Sequence, residues 1–222
     1  MSEPSPKPIF ISDFDGTLTK HDFFRLAVEK LLPPNTPDFW AEYRSGEISH
    51  FEAMRRYYAA IRVGEVEVRK IIDMMEPEPQ LGECVSQLRN AGWQLLIVSN
   101  GCDWYIKQIL AEAGVQAEVL TSPSHFVEGQ GLLMELPTAS PFFSPDVGIL
   151  KSAVVQKYVD EGRTVAFAGN GFTDLPSAKL VKPELRFARE DLAESLSKEG
   201  LPFRPFERWG EVTKALVAGN LS

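Results

Sequence analysis

Apolar residues arrive along this chain in two rhythms. Short runs rich in β-branched and aromatic residues recur at 8–12, 94–98, 118–121, 164–168 and 185–188. Most are continuous rather than alternating, as strands covered on both faces should be. Between them lie stretches in which apolar residues return every three or four positions. Two examples, 81–90 and 103–113, are followed by Gly92 and Gly114, the residue type that ends helices. Strands alternating with helices predict an α/β fold, a Rossmann-like parallel sheet with helices on both faces.

The alternation fails once. HDFFRLAVEKLL, TPDFWAEYRSG, SHFEAMRRYYAAI and GEVEVRKIIDMM follow one another as four helical patterns with no strand between them. Ser49 and Glu52 fit a capping box at the start of the third. An insert placed directly after the first strand stands over the carboxyl end of the sheet, where open α/β sheets bind ligands. The expected organisation is a flexible N-terminal tail at 1–8, a core of 9–19 and 77–222, and a helical cap at 20–76. A stretch containing FVEGQGLLMEL predicts a small hairpin.

Composition narrows the function. With 222 residues and 44% hydrophobic content the chain can bury a substantial core. A net charge of −8 speaks against nucleic acid or an anionic membrane as the main partner. No apolar run approaches the roughly 20 residues that span a bilayer, and the polar, proline-rich start lacks a signal-peptide pattern. Cys84 and Cys102 are the only cysteines, so no disulfide framework is expected. The expectation is a soluble cytoplasmic protein acting on a small molecule; the pattern says nothing of oligomeric state.

The polar residues with chemical potential gather at strand ends. FISDFDGTLT sets Asp13 and Asp15 one residue apart. Carboxylates that close resist joint ionisation unless a cation stands between them or one keeps its proton. Asp13 could attack phosphorus if a divalent metal screens its charge, and Asp15 could protonate a leaving oxygen. Ser99-Asn100-Gly101 ends the next strong strand; its hydroxyl and backbone N–H groups suit phosphate oxygens, or simply cap a helix. Lys151 opens a helical run. Gly169-Asn170-Gly171, with Asp174 three residues on, offers oxygen donors for Mg²⁺, or an ordinary turn before a helix.

Taken in this order, the pieces resemble the haloacid dehalogenase superfamily, specifically its phosphatases with a helical cap. The resemblance runs from about residue 9 to residue 188 and is nearest the phosphoserine and methionine-salvage methylthio-ketopentenyl-phosphate phosphatases. It implies Mg²⁺-dependent hydrolysis of a small phosphorylated metabolite through an aspartyl-phosphate. Asp13 becomes the nucleophile and Asp15 the general acid/base. Thr17, Ser99, Asn100, Gly101 and Lys151 would hold the phosphoryl group, with Asp22 facing the substrate. The metal positions fall on Asp13, Asp15, Asn170 and Asp174. The family usually carries Asp where this chain has Asn170. That departure supports an alternative, a catalytically weakened protein that binds a phosphorylated metabolite or a partner. Charge counting at this one position predicts that Asn170→Asp tightens Mg²⁺ binding.

Overall fold

The computed structural model describes residues 6–219. Of the expected tail, residues 1–5 lie outside that range. The remainder is already tied to the sheet: Lys7 O accepts from Arg163 Nε at 2.7 Å and Pro8 O from Gln94 N at 3.0 Å.

From β1 (Ile9–Ser12) the chain enters α1 (Phe23–Lys30), α2 (Phe39–Arg44), α3 (His50–Ala59) and α4 (Glu65–Met74), then α5 (Leu81–Asn90). It continues through β2 (Gln94–Cys102), α6 (Asp103–Glu112) and β3 (Glu118–Ser122). Two hairpins follow, β4 (Ser124–Val127) with β5 (Gly131–Met134), and β6 (Phe143–Ser144) with β7 (Gly148–Ile149). The last part alternates: α7 (Lys151–Asp160), β8 (Val165–Gly169), α8 (Leu175–Lys179), β9 (Arg186–Ala188), α9 (Glu190–Lys198), β10 (Arg204–Pro205) and α10 (Trp209–Ala218).

Six parallel strands form the main sheet in the order β10-β9-β8-β1-β2-β3. The apolar continuity of β1 has a plain cause. Ile9 and Ile11 pack on one face with Leu96, Val98 and Phe167. Phe10 packs on the other, its ring 5.6 Å from that of Trp209. Each such side chain, removed from water, contributes about 1.5–3 kcal/mol. The chain leaves β1 toward β2 and β3 on one side and returns through β8, β9 and β10 on the other. The strand order therefore reverses between β1 and β8, which opens a crevice at their carboxyl ends.

The insert sits over that crevice. Three of its helices begin at capping side chains: Asp22 accepts from Arg25 N, Asp38 from Ala41 N and Ser49 from Glu52 N. Only half of the expected capping box forms, because the Glu52 carboxylate turns to Arg55 and Arg56. Where the chain enters and leaves the insert, its two segments pair. Thr19 bridges Pro77, Lys20 N donates to Met75 O at 3.0 Å, and Glu78 N to Leu18 O at 3.1 Å. Phe23 of α1 stacks on Tyr105 of α6 at 4.3 Å, so insert and sheet share one apolar cluster.

Two differences from the sequence reading bear on the site. The strand expected at 94–98 runs on to Cys102, with a shift of register between Val98 and Cys102. Ser99, Asn100 and Gly101 thus lie within an irregular strand end rather than a loop. Past residue 188, α9, β10 and α10 complete the core, and no motif had marked them. No helix among the described residues is long and apolar enough to cross a membrane.

Candidate active site

Asp13 follows β1 directly, and its N–H donates to Ala168 O at 2.9 Å, which pins it against β8. Its Oδ1 accepts from Lys151 Nζ at 2.6 Å, and Thr17 Oγ1 lies 3.4 Å from its Oδ2. Burial pushes the Asp13 carboxyl up to about 7, and the charge of Asp174 adds to the push while Lys151 opposes it. Lys151 opens α7 and reaches both acids, with Asp174 Oδ1 at 2.7 Å. Burial alone would lower its pKa, but the charges of Asp13 and Asp174 outweigh that and hold it above the ordinary lysine range. It stays cationic.

Asp174 stands apart from the cavity. It is fully buried, and its Oδ2 accepts from the N–H groups of Asn170 and Gly171, both at 3.0 Å. With Oδ1 on Lys151, both oxygens are engaged. In this arrangement the residue expected to ligate a metal braces Lys151 and the loop after β8. Thr17 is likewise behind the cavity wall, with its hydroxyl between Asp13 Oδ2 and Asn170 Oδ1 at 3.2 Å.

Asp15 faces the opposite side. Burial, then the charge of Asp22, raises its carboxyl to about 8, with Asp13 adding to the effect. Hydrogen bonds from the Tyr105 hydroxyl to Oδ2 at 2.6 Å and from Phe23 N to Oδ1 at 3.1 Å oppose the shift. At neutral pH Asp15 holds a proton. The sequence reading did not identify Tyr105, which reads as an apolar-face residue of α6. A signal was present four residues earlier. A β carbon on Gly101 would lie 1.8 Å from Tyr105 Oη and 2.9 Å from Asp15 Oδ2. Gly101 is small so that the tyrosine hydroxyl can pass it to reach the acid.

The neighbouring polar residues are engaged as well. Ser99 Oγ lies 3.3 Å from Asp15 Oδ2 and accepts from Gly101 N at 2.9 Å. The Asn100 side chain donates to Val147 O and Ile149 O, both at 2.8 Å, which fixes the approach to Lys151. Asp22 lines the cavity while its Oδ1 caps α1 at Arg25 N, 3.0 Å away.

The cavity holds about 150 Å³ between core and insert. Asp13, Asp15, Lys151 and Asn170 form its floor; Phe24, Trp40, Met54 and Tyr58 form the insert side. His50, another insert residue, has a buried Nδ1 without a hydrogen-bond partner. Burial pushes its imidazole down to about 4, so it is neutral, with one ring nitrogen that donates and one that accepts. Arg55 and Arg56 are spent on Glu52 and Glu42 and take no part.

With Asp15 protonated, Asp13 and Asp22 offset Lys151 and Arg25, which leaves this wall no surplus of positive charge for a phosphate dianion. Two oxygen donors of the site suit a hard cation: the Asp13 carboxylate and Asn170 Oδ1, both beside Thr17 Oγ1. No three His, Cys, Asp or Glu side chains gather at one point among the described residues. One or two carboxylates, supplemented by substrate oxygens, are the usual complement for Mg²⁺.

A family model for haloacid dehalogenase-like hydrolases matches residues 10–179. The 2-hydroxy-3-keto-5-methylthiopentenyl-1-phosphate phosphatase of Brevibacillus brevis is 27% identical, covering 96% of this chain and 96% of its own. The enzyme of that name from Bacillus velezensis is 26% identical over 92% of this chain and 88% of its own. Among solved structures, a substrate-bound phosphoserine phosphatase superposes with a TM-score of 0.63 at 18% identity. It covers 95% of this chain and 99% of that one, a likeness of fold.

Proposed function

The chain belongs to the haloacid dehalogenase-like hydrolases and is a phosphatase, and from that premise we propose that it hydrolyses a small phosphomonoester by way of a covalent phosphate on Asp13. One observation carries the reading. Asp13 and Asp15 stand side by side with different partners: Lys151 favours ionised Asp13, while burial and Asp22 keep a proton on Asp15. Paired carboxylates in unlike environments divide nucleophile from acid.

In the first step Asp13 forms a bond to phosphorus as the bond to the leaving oxygen breaks. The Asp15 proton passes to that oxygen. In the second, Asp15, now ionised, takes a proton from water as the water attacks phosphorus, which restores the Asp13 carboxylate and releases phosphate. Lys151 balances the charge of Asp13 throughout. Mg²⁺, when bound by Asp13, the Asp15 carbonyl and Asn170 Oδ1, would screen the phosphate from the carboxylates. Residues 20–76 act as the cap and 9–19 with 77–222 as the catalytic core. Closure of the cap excludes bulk water.

For the leaving group, we take the substrate named for the Brevibacillus relative as the model: an uncharged chain with an apolar thioether end and a hydroxyl. Phe24, Trp40, Met54 and Tyr58 match the apolar end, and His50 Nδ1 pairs with the hydroxyl. The test is phosphate release with Mg²⁺ from that compound and from phosphoserine, faster from the first. Asp13→Asn should lower turnover by about 10³-fold or more. Retention of wild-type turnover by Asp13→Asn would refute the mechanism.

A further inference from the structure

Asn170 supplies an amide where a carboxylate would suit a cation better, and Glu190 stands against it. Glu190 Oε2 accepts from Asn170 Nδ2 at 2.9 Å. That bond decides which end of the amide points inward. With Nδ2 turned outward, Oδ1 lies 3.2 Å from Thr17 Oγ1, on the side of Asp13.

Several features hold the pair in register. Leu192 N donates to Asn170 O at 2.8 Å and Arg189 N to Gly169 O at 3.3 Å, which stitches the start of α9 to the loop after β8. Gly16, at φ 66°, leaves the space the amide needs, since a β carbon there would lie 2.2 Å from Asn170 Nδ2. Glu190 itself has φ 50°, and with Glu76 it is one of two non-glycine residues in the left-handed region among those described. Strain of this kind persists where the surroundings over-determine it, and it collects at functional sites.

We infer that Asn170 and Glu190 work as one unit, in which Glu190 is a positioning residue. It turns the amide oxygen toward Asp13 and brings to the edge of the cation site the charge that Asn170 lacks. The inference rests on the metal reading proposed above. A carboxylate that accepts from the far end of a ligand both orients it and strengthens its oxygen as a donor. The contact also reverses the expectation from charge counting. An aspartate at 170 would face Glu190 across the same gap, so its added charge is offset by repulsion while Glu190 remains. Glu190 is exposed, which softens the repulsion without removing it.

The experiment is calorimetric titration of Mg²⁺ alone into four proteins: wild type, Glu190→Gln, Asn170→Asp and the double variant, each checked for folding by its melting curve. Glu190→Gln should weaken binding about tenfold. Asn170→Asp should change Kd less than about threefold while Glu190 is present, yet tighten it about tenfold in the Glu190→Gln background. Should the Glu190→Gln variant fold poorly, Glu190→Gly relieves the backbone and completes the same cycle. An equal effect of Asn170→Asp in both backgrounds overturns the pairing and leaves the metal reading intact. A wild type that binds no Mg²⁺ at millimolar concentration overturns both.

Discussion

Replacing Tyr105 by Phe removes one oxygen from the interior and nothing else. The ring keeps its stack on Phe23 at 4.3 Å and its contact with Phe14 at 6.2 Å, so packing is held constant. What goes is the 2.6 Å donor to Asp15 Oδ2, together with the hydrogen bond between the Tyr105 and Tyr58 hydroxyls. Asp15 retains Phe23 N on Oδ1 and the more distant Ser99 hydroxyl, so the loss of stability should be about 1–2 kcal/mol. The sign of the pH effect follows from Asp15 itself. Its carboxyl is raised from 3.8 to about 8, so the stability it contributes in protonated form is complete below pH 3.8. That contribution is lost as pH rises through 8. The tyrosine bond favours the ionised form. Its removal therefore lifts the Asp15 pKa further and costs more stability at pH 9 than at pH 5. Each pH unit by which the basic limb moves corresponds to about 1.4 kcal/mol, and a shift of about one unit is expected. The assay is kcat/KM for phosphate release between pH 5 and 10, paired with melting curves at both ends. A basic limb that stays in place, with the same drop in Tm at pH 5 and 9, would refute the assignment of Asp15 as the proton donor held by Tyr105.

Three further expectations bear on neighbouring residues. Gly101→Ala forces its new methyl against the Tyr105 hydroxyl and Asp15, so activity should fall about 100-fold or more, and Gly101→Ala with Tyr105→Phe should recover part of it. If the double variant is no better than Gly101→Ala, the steric account fails. Lys151→Met strands two buried carboxylates and should cost about 3–5 kcal/mol at pH 8, with a smaller loss at pH 5, where Asp13 protonates more readily; chemical denaturation at both pH values decides it. His50→Phe should leave the melting curve nearly unchanged. It should raise KM for a hydroxyl-bearing substrate while sparing its deoxy analogue, and an equal effect on both would remove His50 from recognition.

Much of the fold was legible because its causes are local. The run at β1 is continuous because Ile9 and Ile11 face one apolar layer and Phe10 the other, and a strand buried on both faces has no polar positions to interrupt it. The four serial helices announce an insert by their period and by a cap such as Ser49, which acts within three residues. Asp13 and Asp15 could be read as a reacting pair because crowding two carboxylates at a strand end already requires a cation or a retained proton. The elements after residue 188 were less legible, since a two-residue strand such as β10 carries too few positions to show a period.

Only the folded chain could decide which groups serve those acids. Tyr105 meets Asp15 across 90 residues, Thr17 meets Asn170 across 153, and Glu190 reaches Asn170 from the start of another helix. Spacing places a carboxylate near a site but does not say where its two oxygens are spent. Asp174 turns both away from the cavity, to Lys151 and to the amides of its own loop, because those donors are the nearest once β8 and α7 are packed. The sequence therefore determined which chemistry was available at the sheet edge. The packing of the elements determined which oxygen faces the cavity, which acid is buried among like charges, and which charge stands behind Asn170, since those depend on distances that exist only after distant segments meet.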